Sequence, residues 1–516
     1  MNVAPGQARM TRSASIARNT VWNLAGTTLP LLVAVFAIPV LVRSLGTERF
    51  GVLMLAWAIM GHFALFDFGL GLATNKFVAQ YLERRAHAEL PQLVWASLTA
   101  HAALGTAGGV LLALLTPWLT RNFFSIPPEL FPEVRTAFYL LALSVPLVVV
   151  TASLRGMLEG MRRFDLVNYI RVPAGIVNYL VPVLVVLYTR DLVAVVGAIV
   201  AARAAVLVAH ALVSFAHVPG GVGPYTFAPG VLRPLLGFGG WVTVSNLVSP
   251  LIVFIDRFAI GALISMSAVA WYATPYEVVT KLWIFSASLL AAIFPVLSAL
   301  AVMPGGEIRL LHARSMRYLL VAVAPIVGVL LAFADELLTL WLGAGFARES
   351  APAARWLALG VLINVLAQIP YTVLQGMGHA RLVAGVQLLL LPFYAGAIWM
   401  LVARLGVTGA AIAWTARAAI ELALLAAAAE RKMPAAATAR AHGPLRQAPV
   451  AALFLLLFWA GGTLLAAAPS LKVAAAAGLL ALLLAWEWRL VLDAADRTFI
   501  LGAARRAREL AGRSTS

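Results

Sequence analysis

The chain has 516 residues, 62% of them hydrophobic and only 11% charged, with a net charge of +17 and no cysteine. A soluble protein of this length carries charge on roughly a quarter of its residues, so a water-facing surface of ordinary extent is excluded. The absence of cysteine removes disulfides, thiolate metal sites and cysteine nucleophiles. The basic residues are scattered between apolar blocks, a pattern of membrane topology and not of nucleic-acid binding.

Residues 1–19 form a tail carrying Arg9, Arg12 and Arg18. The apolar block at 21–42 is too long for a signal h-region and has no small-residue cleavage site, so it reads as the first membrane span. Inside lipid the backbone must satisfy itself, which makes blocks of about twenty apolar residues helices, and the alternating segments of a barrel are absent. In chain order the spans are predicted at 20–43, 50–74, 92–119, 135–154, 168–189, 192–215, 234–256, 268–299, 317–342, 354–376, 382–403, 407–428, 448–468 and 471–492. The expected fold is therefore an all-α integral membrane protein with about fourteen transmembrane helices. An even count puts both termini on one side. About 25 basic residues fall on that side and about 10 on the other, which the positive-inside rule makes cytoplasmic. Arginine outnumbers lysine and alanine is abundant, as in proteins from GC-rich bacterial genomes. The longest connections, 216–233 and 429–447, are too short to fold alone, so a sizeable extramembrane catalytic domain is not expected.

The two halves resemble each other at a constant offset. Trp22 and Pro30 correspond to Trp241 and Pro250, and Leu154-Arg155-Gly156-Met157 to Leu374-Gln375-Gly376-Met377, all 219 or 220 residues apart. Six spans per offset gives parallel repeats, predicting two pseudo-symmetric six-helix lobes, 20–225 and 226–430, around a central cavity. A connection at 431–447, two C-terminal helices within 448–492 and a basic tail at 493–516 lie outside the repeat, and the last helix pair is expected at the periphery or along a lipid-facing groove.

Ionisable groups inside a span cost about 2.5–3.5 kcal/mol each, so each one needs a reason. Span two carries Asp67, span six Arg203, span eight Glu277 and Lys281, and span twelve Arg417 and Glu421. The last two sets sit at i,i+4 and can neutralise themselves; a structural ion pair and a cavity-facing pair remain equal readings. Arg203 has no acidic residue one turn away, only His210 two turns along, and is expected to line a wet cavity. Asn364, Gln368, Tyr371 and Gln375 mark one face of span ten, with a shorter stripe at Asn19, Asn23 and Thr27, and such faces must meet protein or water. Prolines such as Pro30, Pro146, Pro275 and Pro370 suit helices that bend. There is no P-loop, dinucleotide fingerprint, histidine-rich metal spacing or nucleophile elbow, so neither catalysis nor a bound cofactor or metal is expected.

The runs Asn19-Thr20-Val21-Trp22-Asn23, Leu45-Gly46 with Phe50-Gly51, Leu65-Phe66-Asp67-Phe68-Gly69-Leu70-Gly71, and Gly156-Met157-Leu158-Glu159-Gly160 with Arg163-Phe164 and Asn168 span residues 16–175. They resemble the Wzx-like polysaccharide flippases of the multidrug/oligosaccharidyl-lipid/polysaccharide exporter superfamily. The resemblance implies a non-enzymatic flippase of the bacterial inner membrane that moves undecaprenyl-diphosphate-linked oligosaccharide repeat units by alternating access. It implies as partners that glycan, the bilayer, and a polysaccharide polymerase with other assembly proteins. Under that reading Arg203, Lys281 and Arg417 are candidates for phosphate contact, and Asn23, Asn364 and Gln368 for the rest of the cavity wall. Asp67, Glu277 and Glu421 are candidates for coupling to H+ or Na+. The rival readings are a cation-coupled small-molecule exporter of the same superfamily, a membrane polymerase or glycosyltransferase, and a structural partner of an assembly complex.

Overall fold

A computed structural model describes residues 5–61, 69–226, 229–234, 254–300, 307–433, 447–494, 496–498 and 502, with backbone only for 5–28, 61, 291–292, 294–300 and 307. The described residues contain no strand and are helical almost throughout, 229–234 and 254–263 included; the helices used below are α1 (Pro5–Gly61), α2 (Leu70–Glu83), α3 (Leu90–Trp118), α4 (Phe131–Gly160), α5 (Phe164–Val186), α6 (Leu192–His217), α7 (Met266–Val279), α8 (Trp283–Leu300), α9 (Glu307–Leu342), α10 (Ala344–Gly376), α11 (Ala380–Lys432), α12 (Ala448–Leu464) and α13 (Pro469–Trp486). Among the described residues nine helical stretches are long and apolar enough to cross a membrane, and α12 is a shorter apolar helix.

Expected spans and helices do not correspond one to one. Spans one and two share α1, broken only at Gly46, whose φ of 77° and ψ of 164° turn the chain between two helices. Spans eleven and twelve likewise share α11, broken at Gly406 with φ 61° and ψ −142°. A backbone position of this kind is open to glycine and strained for other residues. Span eight is divided by a tight turn at Thr280–Leu282, between α7 and α8. The end expected for span two at residue 74 falls inside a separate helix, α2, which starts after the left-handed Gly69. Span seven lies almost wholly outside the described residues.

The chain divides into two compact units, Met1–Ala270 and Trp271–Ser516, the division falling within α7. In the first unit glycines set the helix spacing. A Cβ on Gly105 or Gly109 of α3 would fall 2.7 Å from Pro146 Cα or 2.6 Å from Ala142 O of α4. Gly156 and Gly160 of α4 meet the backbone oxygens of Gly71 and Asn75 of α2 in the same way, at 2.4 and 2.7 Å. Both are small-xxx-small contacts, the arrangement by which helices approach where water supplies no hydrophobic drive. A hydroxyl chain crosses this contact: Thr74 Oγ1 to Ser97 Oγ at 2.6 Å and on to Ser153 Oγ at 2.7 Å. Ala73, Val94, Leu154 and Met157 form the core around it.

In the second unit α12 seats on α9: a Cβ on Gly328 would lie 2.8 Å from the Phe458 ring, and one on Gly462 would lie 2.6 Å from Ala332 O. Gly360 of α10 makes the same kind of notch, 2.6 Å from the Trp414 ring of α11.

α4 and α10 end in the same kind of turn. Arg163 N–H donates to Leu158 O and His379 N–H to Leu374 O, both at 2.8 Å, across left-handed residues Arg162 and Gly378. The end of α2 closes likewise, Ala86 N–H donating to Tyr81 O at 2.9 Å across left-handed Arg85. Trp241 and Pro250, two anchors of the repeat expected from the sequence, lie outside the described residues.

Candidate functional site

The polar stripe of span ten is the starting point. On α10, Asn364, Ala367, Gln368, Tyr371 and Thr372 recur at three- and four-residue spacing and share one face. Together with Leu290 of α8, Gln387 from the first half of α11 and Glu421 from its second half, they line a cavity of about 280 Å³. That is close to the lower end of small-ligand sites. The structure thus brings together Asn364, Gln368, Tyr371 and Glu421, four residues singled out from sequence. Gln375, at the end of the stripe, is exposed and lies outside the lining.

The charge at this cavity is cancelled locally. Arg417 Nη1 donates to Glu421 Oε2 at 2.6 Å, and both side chains are buried. The guanidinium also lies 5.6 Å from the centre of the Tyr394 ring and 5.9 Å from that of Trp414, where the ring faces favour a cation. The polar groups left to the cavity are then amides and hydroxyls, set among the apolar side chains of Leu290 and Ala367: Asn364, Gln368, Gln387 and Tyr371 can each donate and accept. Thr372 spends its proton on Gln368 O at 2.8 Å. A neutral, polyhydroxylated ligand suits such a wall better than a free diphosphate.

The remaining candidates lie elsewhere. Glu277 and Lys281 form their own i,i+4 pair at 3.4 Å, both partly exposed, outside the lining of this cavity. Arg203 of α6, in the first unit, donates from Nη2 to Asn178 Oδ1 of α5 at 2.9 Å. Among the described residues it has no carboxylate partner. His210, two turns along, is buried and bonds the backbone oxygen of Val206 through Nδ1 at 2.9 Å. Asp67 lies outside the described residues, and the side chain of Asn23 likewise.

Gln387 and Asn178 were not singled out from sequence. Each is a lone amide in an apolar run, a signal present in the chain but without a periodic partner on its own helix. A second cavity, of about 350 Å³ and almost wholly apolar, lies between α9, α10, α11 and α12, walled by Leu320, Leu362, Leu366, Leu455 and Trp459, with Arg317 and Gln447 among its lining.

The family described as "Polysaccharide biosynthesis protein" matches residues 16–301. A Shigella flexneri protein named for O-antigen transport is 30% identical over 413 residues, which cover 80% of this chain and 97% of that protein. Among solved structures, the lipid II flippase MurJ in an inward closed conformation superposes with a TM-score of 0.66 at 10% identity, covering 90% of this chain and 98% of its own. An inward-facing multidrug resistance MATE family transporter of the MOP superfamily superposes with a TM-score of 0.64 at 16% identity, covering 80% and 94%.

Proposed function

Because the chain belongs to the polysaccharide biosynthesis protein family, we propose that it is a flippase that carries undecaprenyl-diphosphate-linked oligosaccharide units across the bacterial inner membrane, with both termini in the cytoplasm. The observation that carries this reading is the cavity of Asn364, Gln368, Gln387 and Tyr371, whose one carboxylate is neutralised by Arg417. It supports recognition of sugar hydroxyls. The diphosphate needs positive charge, for which Arg203, bonded to Asn178 and without a carboxylate partner among the described residues, is the candidate. The lipid tail needs only apolar surface, which the cavity beside α12 offers. Alternating access, driven by an H+ or Na+ gradient, moves the load, with Asp67, Glu277 and Glu421 the acidic groups available for coupling.

The test is Asn364→Ala with Gln368→Ala. Losing one or two hydrogen bonds at about 1 kcal/mol each lowers transport by about tenfold. Surface polysaccharide should fall by that factor, and lipid-linked repeat units should accumulate on the cytoplasmic side, at unchanged protein level. Full surface polymer in the double variant removes this cavity from the pathway. Altered drug tolerance with intact polymer assigns the chain to small-molecule export instead.

A further inference from the structure

After Trp486 of α13 the chain widens into a π turn, Glu487–Val491, closed by Leu492 N–H donating to Glu487 O at 2.9 Å, as α3 ends in a π turn at Leu119–Phe123. Glu487 stands at its start, 1% exposed, and neither carboxylate oxygen has a hydrogen-bond partner among the described residues.

The surrounding charges do not answer it. On α9, Arg317 and Tyr318 turn to the two aspartates that follow the π turn, Tyr318 Oη donating to Asp496 Oδ1 at 2.6 Å and Arg317 Nη2 lying 3.3 Å from Asp493 Oδ2. Arg314 of α9 lies 3.9 Å from the same two carboxylates. Arg497 is bound to the backbone oxygens of Leu492 and Arg489. Residues 448–464, which form α12, contain no ionisable group, and Gln447 before them donates to Leu490 O at 3.4 Å. Arg489 shares with Glu487 the wall of a cavity of about 500 Å³, together with Val321, Leu484 and Trp488. Among the described residues it forms no ion pair with Glu487.

A bare carboxylate cannot stay in such surroundings, because its desolvation is answered by no partner among the described residues. A metal ion or an ammonium group would have to touch an oxygen, and both oxygens are closed off from the neighbouring cavity. A proton needs no room. We propose that Glu487 is a proton-binding site, carrying a neutral carboxyl while the π turn is seated on α9. When the proton leaves, the charge has one outlet, toward the cavity and Arg489, and the π turn must rearrange to reach it. The site belongs to the C-terminal helix pair and stands whatever the cargo.

The test uses the full chain in native membranes. The infrared difference between the wild type and Glu487→Gln is expected to show a protonated-carboxyl C=O band. Because Gln is a neutral isostere of the protonated acid, that variant should insert and keep its thermal midpoint. A difference spectrum showing only carboxylate bands overturns the proposal. A Glu487→Gln variant that loses the seating of residues 487–498 on α9, read by hydrogen exchange, does the same.

Discussion

Two arginines inside apolar helices meet opposite fates, and the contrast separates stability from transport. Arg417 is buried with Glu421 at 2.6 Å. Removing one partner of such a pair leaves a lone buried charge, at a cost of about 3–5 kcal/mol. Glu421→Gln is therefore expected to lower the thermal midpoint in detergent, and Arg417→Met combined with Glu421→Gln to recover much of it. Arg203 has only Asn178 as a side-chain partner among the described residues. Arg203→Ala removes a charge and, among the described residues, strands no carboxylate, so stability should change by no more than about 1 kcal/mol. Surface polysaccharide should nonetheless be lost. An Arg203→Ala strain with normal polymer and a normal midpoint would take Arg203 out of the pathway. The Arg417 pair was legible in the sequence because i,i+4 spacing is local. The Asn178 contact was not, since 25 residues separate the two side chains and no helix period relates them.

Glycine spacing determines which helices touch. The run Gly156–Gly160, which carried a family resemblance in the sequence, has a physical reason in the fold: it lets α4 lie against the backbone of Gly71 and Asn75. At both glycines a Cβ would meet backbone oxygen, which cannot swing away. Gly156→Val is expected to separate α2 from α4, breaking the Thr74–Ser97–Ser153 hydroxyl chain. Overpacking of this kind costs about 1–3 kcal/mol, to be read as a lower midpoint and lower steady-state protein level. Gly230→Val, where a Cβ meets nothing within 4 Å, is the control expected to leave both unchanged. Hydropathy located the spans but could not tell a loop from a single glycine. Gly46 and Gly406 each turn the chain within one residue, so two helices read as one continuous stretch. Leu-Glu/Gln-Gly-Met occurs at 158–161 and 374–377, and Gly-Met also four residues before the first of these at 156–157, so the sequence alone offers two registers for the repeat.

The C-terminal helix pair is more than apolar padding. From the sequence it was expected at the periphery, because its charges sit at span ends where they read as topology. In the fold those charges clamp α13 to α9 at both ends. Lys472, buried, donates to Glu336 Oε1 at 2.6 Å near the end of α9. Asp493 and Asp496 engage Arg314, Arg317 and Tyr318 near its start. Between these anchors Phe458 of α12 fills the notch at Gly328. Burial by itself would raise the Asp493 carboxyl, but the Asp496 backbone N–H and the guanidinium groups of Arg317 and Arg314 outweigh it and hold it below its ordinary value. A carboxyl held low in the fold contributes stability that is fully present above its unfolded value, about 3.9 for aspartate, and lost as pH falls through the lower folded value. Exchange protection of the amides at 487–498, corrected for intrinsic rate, should hold from neutral pH down to about 4 and collapse below it. Asp493→Asn with Asp496→Asn should lose the same protection at neutral pH, while amides in the middle of α10 keep theirs. If the double variant stayed protected, the clamp would rest on Phe458 and Lys472 alone, and the aspartates would be bystanders at the membrane edge.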